Sequence, residues 1–129
     1  SPQNRNRHIF FVGQIEDVDL PPLYSGARLF VFPSLVEGFG LPVLEAMACG
    51  TAVACSNQSS LPEVGGDAVA YFDPTDSQQM AALLQQLVGD EAKLAELAQK
   101  GVVQAANFSW KETAVATLNQ YRHMANLLD

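Results

Sequence analysis

Basic residues are scarce in this chain. Lysine and arginine number 7 against 14 aspartates and glutamates, a net charge of −7. Such a balance gives no general attraction for nucleic acid or for an anionic lipid surface. Cysteine is scarcer still. Cys49 and Cys55 are too few for a disulfide framework, and their separation fits no familiar zinc spacing. They read as two small apolar side chains in a reducing cytoplasm. No apolar run approaches the ~18 to 20 residues of a membrane helix. The polar start, Ser1 to Arg7, lacks the apolar stretch of a signal peptide. It also lacks an initiator Met, which points to a processed chain or a cloned fragment. No repeat, low-complexity tract or dividing linker is present. What is plentiful is apolar: hydrophobic residues make up 48% and charged residues 16% of 129 positions. That is enough to bury the core of one domain, here residues 1–129, and it excludes general disorder.

Short apolar runs alternate with helical patterns. His8–Gly13 reads as a buried strand, and Arg28–Pro33 as a second one stopped by its proline. Between them a short helix begins at Asp19-Leu20-Pro21-Pro22 and ends at Gly26. Pro42–Cys49 reads as a helix with proline at its first position and Gly50 just past its end. Thr51–Cys55 and Ala68–Phe72 read as strands, with one helical turn at Leu61–Val64. Asp73-Pro74-Thr75-Asp76 reads as a helix start with an acidic cap. Met80, Leu83, Leu84, Leu87 and Val88 follow at helical spacing. Gly89-Asp90 closes that helix and caps another running to about Ala106. Ser109-Trp110-Lys111-Glu112 matches a reciprocal capping box, and Trp110, Thr113, Ala114, Thr117, Leu118 and Tyr121 line one face of a final helix. Apolar strands without polar alternation, each followed by a helix, predict an α/β fold with a parallel sheet covered on both faces. Ligands of such sheets gather at the carboxyl ends of the strands.

The informative segment is the loop before Pro42. Leu41, at the expected cap position, has no side-chain oxygen to offer the first helical amides. Pro42 removes one donor, which leaves the N–H groups of Gly40, Leu41, Val43 and Leu44. Gly38 and Gly40 carry no Cβ, so a ligand can approach the backbone closely. Free amides and the helix dipole together make an anion site suited to phosphate. Equally, water or a neighbouring loop can satisfy these groups, with the glycines serving only the turn. The pattern is not the dinucleotide fingerprint, because Val43 stands where its third glycine belongs. A dinucleotide-dependent oxidoreductase is disfavoured on that ground. Glu37 and Glu45 flank the loop. Carboxylates beside a phosphate site suit the paired hydroxyls of a sugar or ribose. The plainer alternatives are a solvated loop residue for Glu37 and a favourable first-turn charge for Glu45.

Phe32-Pro33-Ser34 followed by Glu37-Gly38-Phe39-Gly40-Leu41-Pro42-Val43-Leu44-Glu45-Ala46-Met47-Ala48-Cys49-Gly50 resembles the signature of retaining, nucleotide-sugar-dependent glycosyltransferases of the GT-B fold. The group includes bacterial mannosyl- and glucosyltransferases, sucrose synthases and glycogen synthases. Its mark is two glutamates separated by seven residues, here Glu37 and Glu45. Phe11-Val12-Gly13, Ser59–Val64, Phe72-Asp73-Pro74 and Phe108-Ser109-Trp110 fall where the family has similar segments. The resemblance implies a Rossmann-like, doubly wound sheet ending in helices, as an incomplete carboxyl-terminal half of the GT-B fold. It implies that Glu37 contacts the donor sugar near the reacting carbon and that the backbone at Gly38, Phe39, Gly40 and Leu41 holds the diphosphate and sugar. Glu45 would accept hydrogen bonds from the ribose hydroxyls, with Gln14 and Ile15 near the base. The chemistry is then sugar transfer with retention, carried by electrostatic stabilisation of a departing diphosphate. No cofactor and no metal is implied, the nucleotide-sugar being a substrate. The location implied is cytoplasmic, with room for a parent enzyme seated peripherally at the inner membrane face.

Two expected parts have no counterpart in these residues: the amino-terminal acceptor domain, and the basic pair on the first strand–helix units of the second domain. Arg5, Arg7, Arg28, Lys93, Lys100, Lys111 and Arg122 do not match that pair. The expectation is therefore a chain that binds donor weakly and is catalytically silent alone. In the resembled fold a strand lies between those matching Ile9–Val12 and Leu29–Phe32. Without it, either Ile9–Val12 moves over to pair with Leu29–Phe32, or a second copy supplies the partner in a strand-exchanged homodimer. The rival of a different class is a non-catalytic module of the same fold, a truncated paralogue or partner subunit that binds protein.

Overall fold

The computed structural model describes residues 8–35, 40–108, 115, 118–119 and 121–126. Its centre is a parallel sheet of three strands in the order β1-β2-β3: β1 (Phe30–Phe32), β2 (Val53–Ser56) and β3 (Ala70–Phe72). Phe30 stands against Val53 and Phe32 against Cys55 on one side of β2, and Cys55 stands against Tyr71 on the other. The helices are α1 (Leu20–Gly26), preceded by a 3-10 turn at Asp17–Asp19, α2 (Leu41–Ala48), α3 (Leu61–Gly65), α4 (Ser77–Val88) and α5 (Glu91–Ala106).

Strand β2 explains the layering. All four of its residues are buried. Val53 and Cys55 point into a cluster with Val43, Ala46, Met47, Leu61 and Val64 from α2 and α3. Ala54 points the other way, to Phe72, Leu87, Leu94 and Leu97 from β3, α4 and α5. A central parallel strand covered on both faces has no solvent side, so it carries an unbroken run of small apolar residues. The expected α/β class, a parallel sheet flanked by helices in a Rossmann-like arrangement, is what the structure has.

Three local expectations are corrected. Ile9–Val12 forms no strand. It runs exposed beside no ladder, at 53, 78, 71 and 67% of full accessibility. An apolar run becomes a strand only when another strand satisfies its backbone, and β1 pairs only with β2 among the described residues. Direct pairing of Ile9–Val12 with β1 is therefore overturned, and β1 is half-buried rather than buried.

The second correction concerns α4, which starts three residues later than expected. Asp73 closes a turn instead: its carboxylate accepts from the Thr75 N–H at 2.9 Å and the Thr75 hydroxyl at 2.6 Å. The Asp76 N–H reaches the Asp73 carbonyl at 3.1 Å. Proline at the second position of such a turn is already set for it. Asp76 is the true cap, accepting from the Gln79 N–H at 3.0 Å. Asp90 caps α5 as expected, through the Lys93 N–H at 3.0 Å.

Thirdly, Val88 leaves the apolar stripe of α4 and is exposed. In the final helical pattern, Leu118 and Tyr121 are helical and exposed. The capping box Ser109–Glu112 and Thr113, Ala114 and Thr117 lie outside the described residues. No helix among the described residues is long and apolar enough to cross a membrane.

Candidate functional site

The loop after β1 delivers the chain to α2. Gly40 is the N-cap, at φ 78° and ψ 37°, and no side chain caps the helix. Leu41 is thus the first helical residue and Pro42 the second, one position on from the expected assignment. Gly40 is held to glycine twice over. Its φ lies in the left-handed region that L side chains avoid, and an added Cβ would stand 2.8 Å from Leu61 Cδ2. The backbone at Gly40 therefore rests directly on α3.

The amide accounting is narrower than expected. The Leu44 N–H donates to the Gly40 carbonyl at 3.1 Å and closes the first helical turn, so it is not free for a ligand. Those of Gly40, Leu41 and Val43 have no acceptor among the described residues. Pro42 has no N–H to offer. These N–H groups and the positive end of the helix dipole face the carboxyl side of β1.

Helix α2 divides its faces cleanly. Val43, Ala46 and Met47 are buried against the sheet. Leu41, Leu44, Glu45 and Ala48, at the spacing of one helical stripe, line a cavity of about 520 Å³. Across it stand Asp17 and Leu20 from the 3-10 turn and the start of α1, Tyr24 from α1, Ala105 from the end of α5, and Phe108 just beyond it. The wall is chiefly apolar, and its charged groups are two carboxylates, Asp17 and Glu45. Among the described residues no lysine or arginine lines it. Arg28 is held by Glu91 and the Val88 carbonyl, while Lys93 and Lys100 are held by Glu96. No group of three or more metal-ligating side chains is gathered among the described residues.

Glu45 is partly buried, and the Tyr24 hydroxyl donates to its Oε2 at 3.2 Å. Burial first, and the carboxylate second, push the Tyr24 phenol up to about 12. It therefore remains a donor throughout the physiological range. Thr51 anchors the same residue from below, its hydroxyl donating to the Tyr24 carbonyl. The Tyr24 ring meets Phe30 edge to face, with centroids 5.2 Å apart.

Of the expected site residues, Leu41 and Glu45 line the cavity, and Gly40 adjoins Leu41 at the helix start. Gln14 is exposed and Ile15 half-buried, just ahead of the 3-10 turn. Neither lines the cavity, whereas Asp17, two residues on from Ile15, does. Glu37, Gly38 and Phe39 lie outside the described residues. Tyr24 escapes a reading of the sequence. It stands 21 residues from Glu45, and no spacing rule joins positions that meet only because α1 and α2 pack side by side.

A parallel sheet flanked by helices, with an uncapped, glycine-led helix after its first strand, defines the class as a Rossmann-like α/β fold. Residues 3–103 match the family model described as Glycosyl transferases group 1, and the chain belongs to that family. The O-antigen chain mannosyltransferase B of Escherichia coli is 46% identical over 118 residues, which are 92% of this chain and 31% of that protein. The serotype-specific mannosyltransferase WbdA of Escherichia coli is 45% identical over 116 residues, 90% of this chain and 14% of that protein. The chain thus spans about a third or less of these relatives. Among solved structures, sucrose-phosphate synthase from Thermosynechococcus elongatus superposes with a TM-score of 0.78 at 31% identity, over 96% of this chain and 32% of that one. The C-terminal domain of a glycosyl transferase group 1 family protein, LpcC, from Francisella tularensis gives 0.71 at 32% identity, over 81% of this chain and 55% of that one. The architecture is accordingly that of a GT-B glycosyltransferase subdomain.

Proposed function

We propose that this chain is the donor-binding part of a retaining, nucleotide-sugar-dependent glycosyltransferase, and that mannose is the sugar it handles. The observation that carries the reading is the juxtaposition at α2. N–H groups with no acceptor among the described residues, at its glycine-led start, suit a diphosphate. One turn on, Glu45 faces a cavity large enough for part of a nucleoside. The mannosyltransferase names of the Escherichia coli relatives support the choice of sugar.

In this reading the backbone at Gly38, Phe39, Gly40 and Leu41 takes the diphosphate and sugar, Glu37 contacts the sugar near the reacting carbon, and Glu45 takes the ribose hydroxyls. Gln14 and Ile15 border the base. The bond from the anomeric carbon to the diphosphate breaks, a bond to an acceptor oxygen forms, and configuration is kept. The leaving diphosphate needs positive charge. On this proposal the 129-residue chain is catalytically silent alone and binds donor weakly; a described cavity wall without lysine or arginine supports it. The exposed Ile9–Val12 run and the edge of β1, unpaired among the described residues, support a role joined to further chain, either an acceptor domain or a second copy.

The test is titration of the isotope-labelled chain with ADP-, GDP- and UDP-mannose. Amide shifts at Gly40, Leu41, Val43 and Glu45 are expected with one of the three. Shifts confined to other surfaces, or none, overturn donor binding. Steady sugar transfer by the isolated chain overturns its inactivity.

A further inference from the structure

We infer that Tyr24 is a positioning residue for Glu45: its hydroxyl fixes the carboxylate rotamer so that Oε1 is presented to a vicinal diol of the ligand. The inference rests on the reading of Glu45 as the ribose acceptor and adds to it a residue outside the loop and helix that carry the family pattern.

Three restraints act on Tyr24, each on a different part of the residue. The Thr51 hydroxyl holds its carbonyl, and Thr51 is itself buried. Phe30 meets its ring edge to face. The hydroxyl, the remaining polar atom of the side chain, donates to Glu45 Oε2 at 3.2 Å. A glutamate on a helix has three rotatable side-chain bonds and loses considerable freedom when it binds a ligand. A donor mounted on a clamped ring removes much of that freedom beforehand, the condition for tight recognition by a pre-organised group. It also divides the carboxylate. Oε2 is engaged by the phenol, while Oε1 has no donor among the described residues and keeps its lone pairs for hydroxyls. Asp17, the other carboxylate on the wall, has no such partner among the described residues, so the two acids of the cavity differ in order.

A purely structural tyrosine would support the fold and treat all ligands alike. A positioning tyrosine discriminates by the hydroxyls of the ligand. The 129-residue chain and its Tyr24→Phe and Glu45→Gln variants are titrated by NMR with GDP, UDP and ADP, each against its 2′,3′-dideoxy counterpart. Thermal melts of all three proteins run alongside. The unsubstituted chain should prefer the ribonucleotide, and E45Q should abolish that preference. Y24F should lower the preference about fivefold, with affinity for the dideoxy form unchanged. If E45Q removes the preference but Y24F keeps it, or lowers both affinities equally, the positioning role is overturned while the ribose reading stands. If E45Q leaves the preference intact, or no nucleotide binds, the ribose reading itself is overturned and the role of Tyr24 falls with it.

Discussion

Gly40 lies under Leu61 so closely that a methyl group on its Cα would come within 2.8 Å of Leu61 Cδ2. The contact joins the start of α2 to α3 and leaves the backbone at Gly40 no thickness to gain. Gly40→Ala should therefore suffer both a left-handed φ and an overpacked contact. Together these destabilise the fold by about 2 to 3 kcal/mol. Urea unfolding measures the loss. Combining it with Leu61→Val, which trims the opposing side chain, should give a total smaller than the sum of the single effects. Strict additivity would show that the clash contributes nothing.

Cys55 is fully buried in β2, and burial pushes its thiol from an ordinary value near 9 up to about 12. The unfolded chain releases this proton near pH 9 and the folded chain retains it to about 12. Between those limits the native state binds more protons, so stability falls as pH rises. One group contributes at most about 1.4 kcal/mol per pH unit to that slope. Denaturant melts from pH 7 to pH 11 should be nearly flat up to pH 8.5 on this account and decline above it. Cys55→Ala should lower stability at pH 7 and flatten the decline. An unchanged alkaline slope in that variant would remove Cys55 as its source.

Arg28 is the hub of a surface contact, 2.6 Å from Glu91 and 2.7 Å from the Val88 carbonyl. The ion pair is short but well exposed, so solvent screening leaves Glu91→Ala a cost of only about 0.5 kcal/mol, shrinking in high salt. Arg28→Ala also loses the bonds to the last carbonyl of α4. It should cost about 1 kcal/mol, part of it insensitive to salt. Equal costs for the two variants in 1 M salt would show that the carbonyl contact adds nothing.

Much of the fold is written in local pattern. Thr51–Cys55 reads as a buried strand because both faces of β2 are covered, and Asp90 reads as a cap because its partner N–H is three residues away. The misreadings share a cause. Ile9–Val12 has the composition of a strand, but strand formation depends on a partner that composition does not encode. Asp73 and Asp76 are both competent caps. The choice between them turned on Thr75, whose N–H and hydroxyl draw Asp73 into a turn. At the site, Gly40 and Glu45 were legible from the loop pattern, since each acts through its own helix. Tyr24 and Asp17 were not, because they reach the cavity through the packing of one helix on another. Leu44 borders both core and cavity, as a residue at the edge of an apolar stripe can.

The acidic lining of the cavity has an implication for how such a site is switched on. A diphosphate held at the glycine-led start of α2 brings its own negative charge close to a wall that already bears Asp17 and Glu45. On the proposed reading, the compensating cations come from outside the described wall, which carries no lysine or arginine. On the same reading the ligand bridges this acidic wall and the surface that carries those cations, and it is held firmly only where both are present.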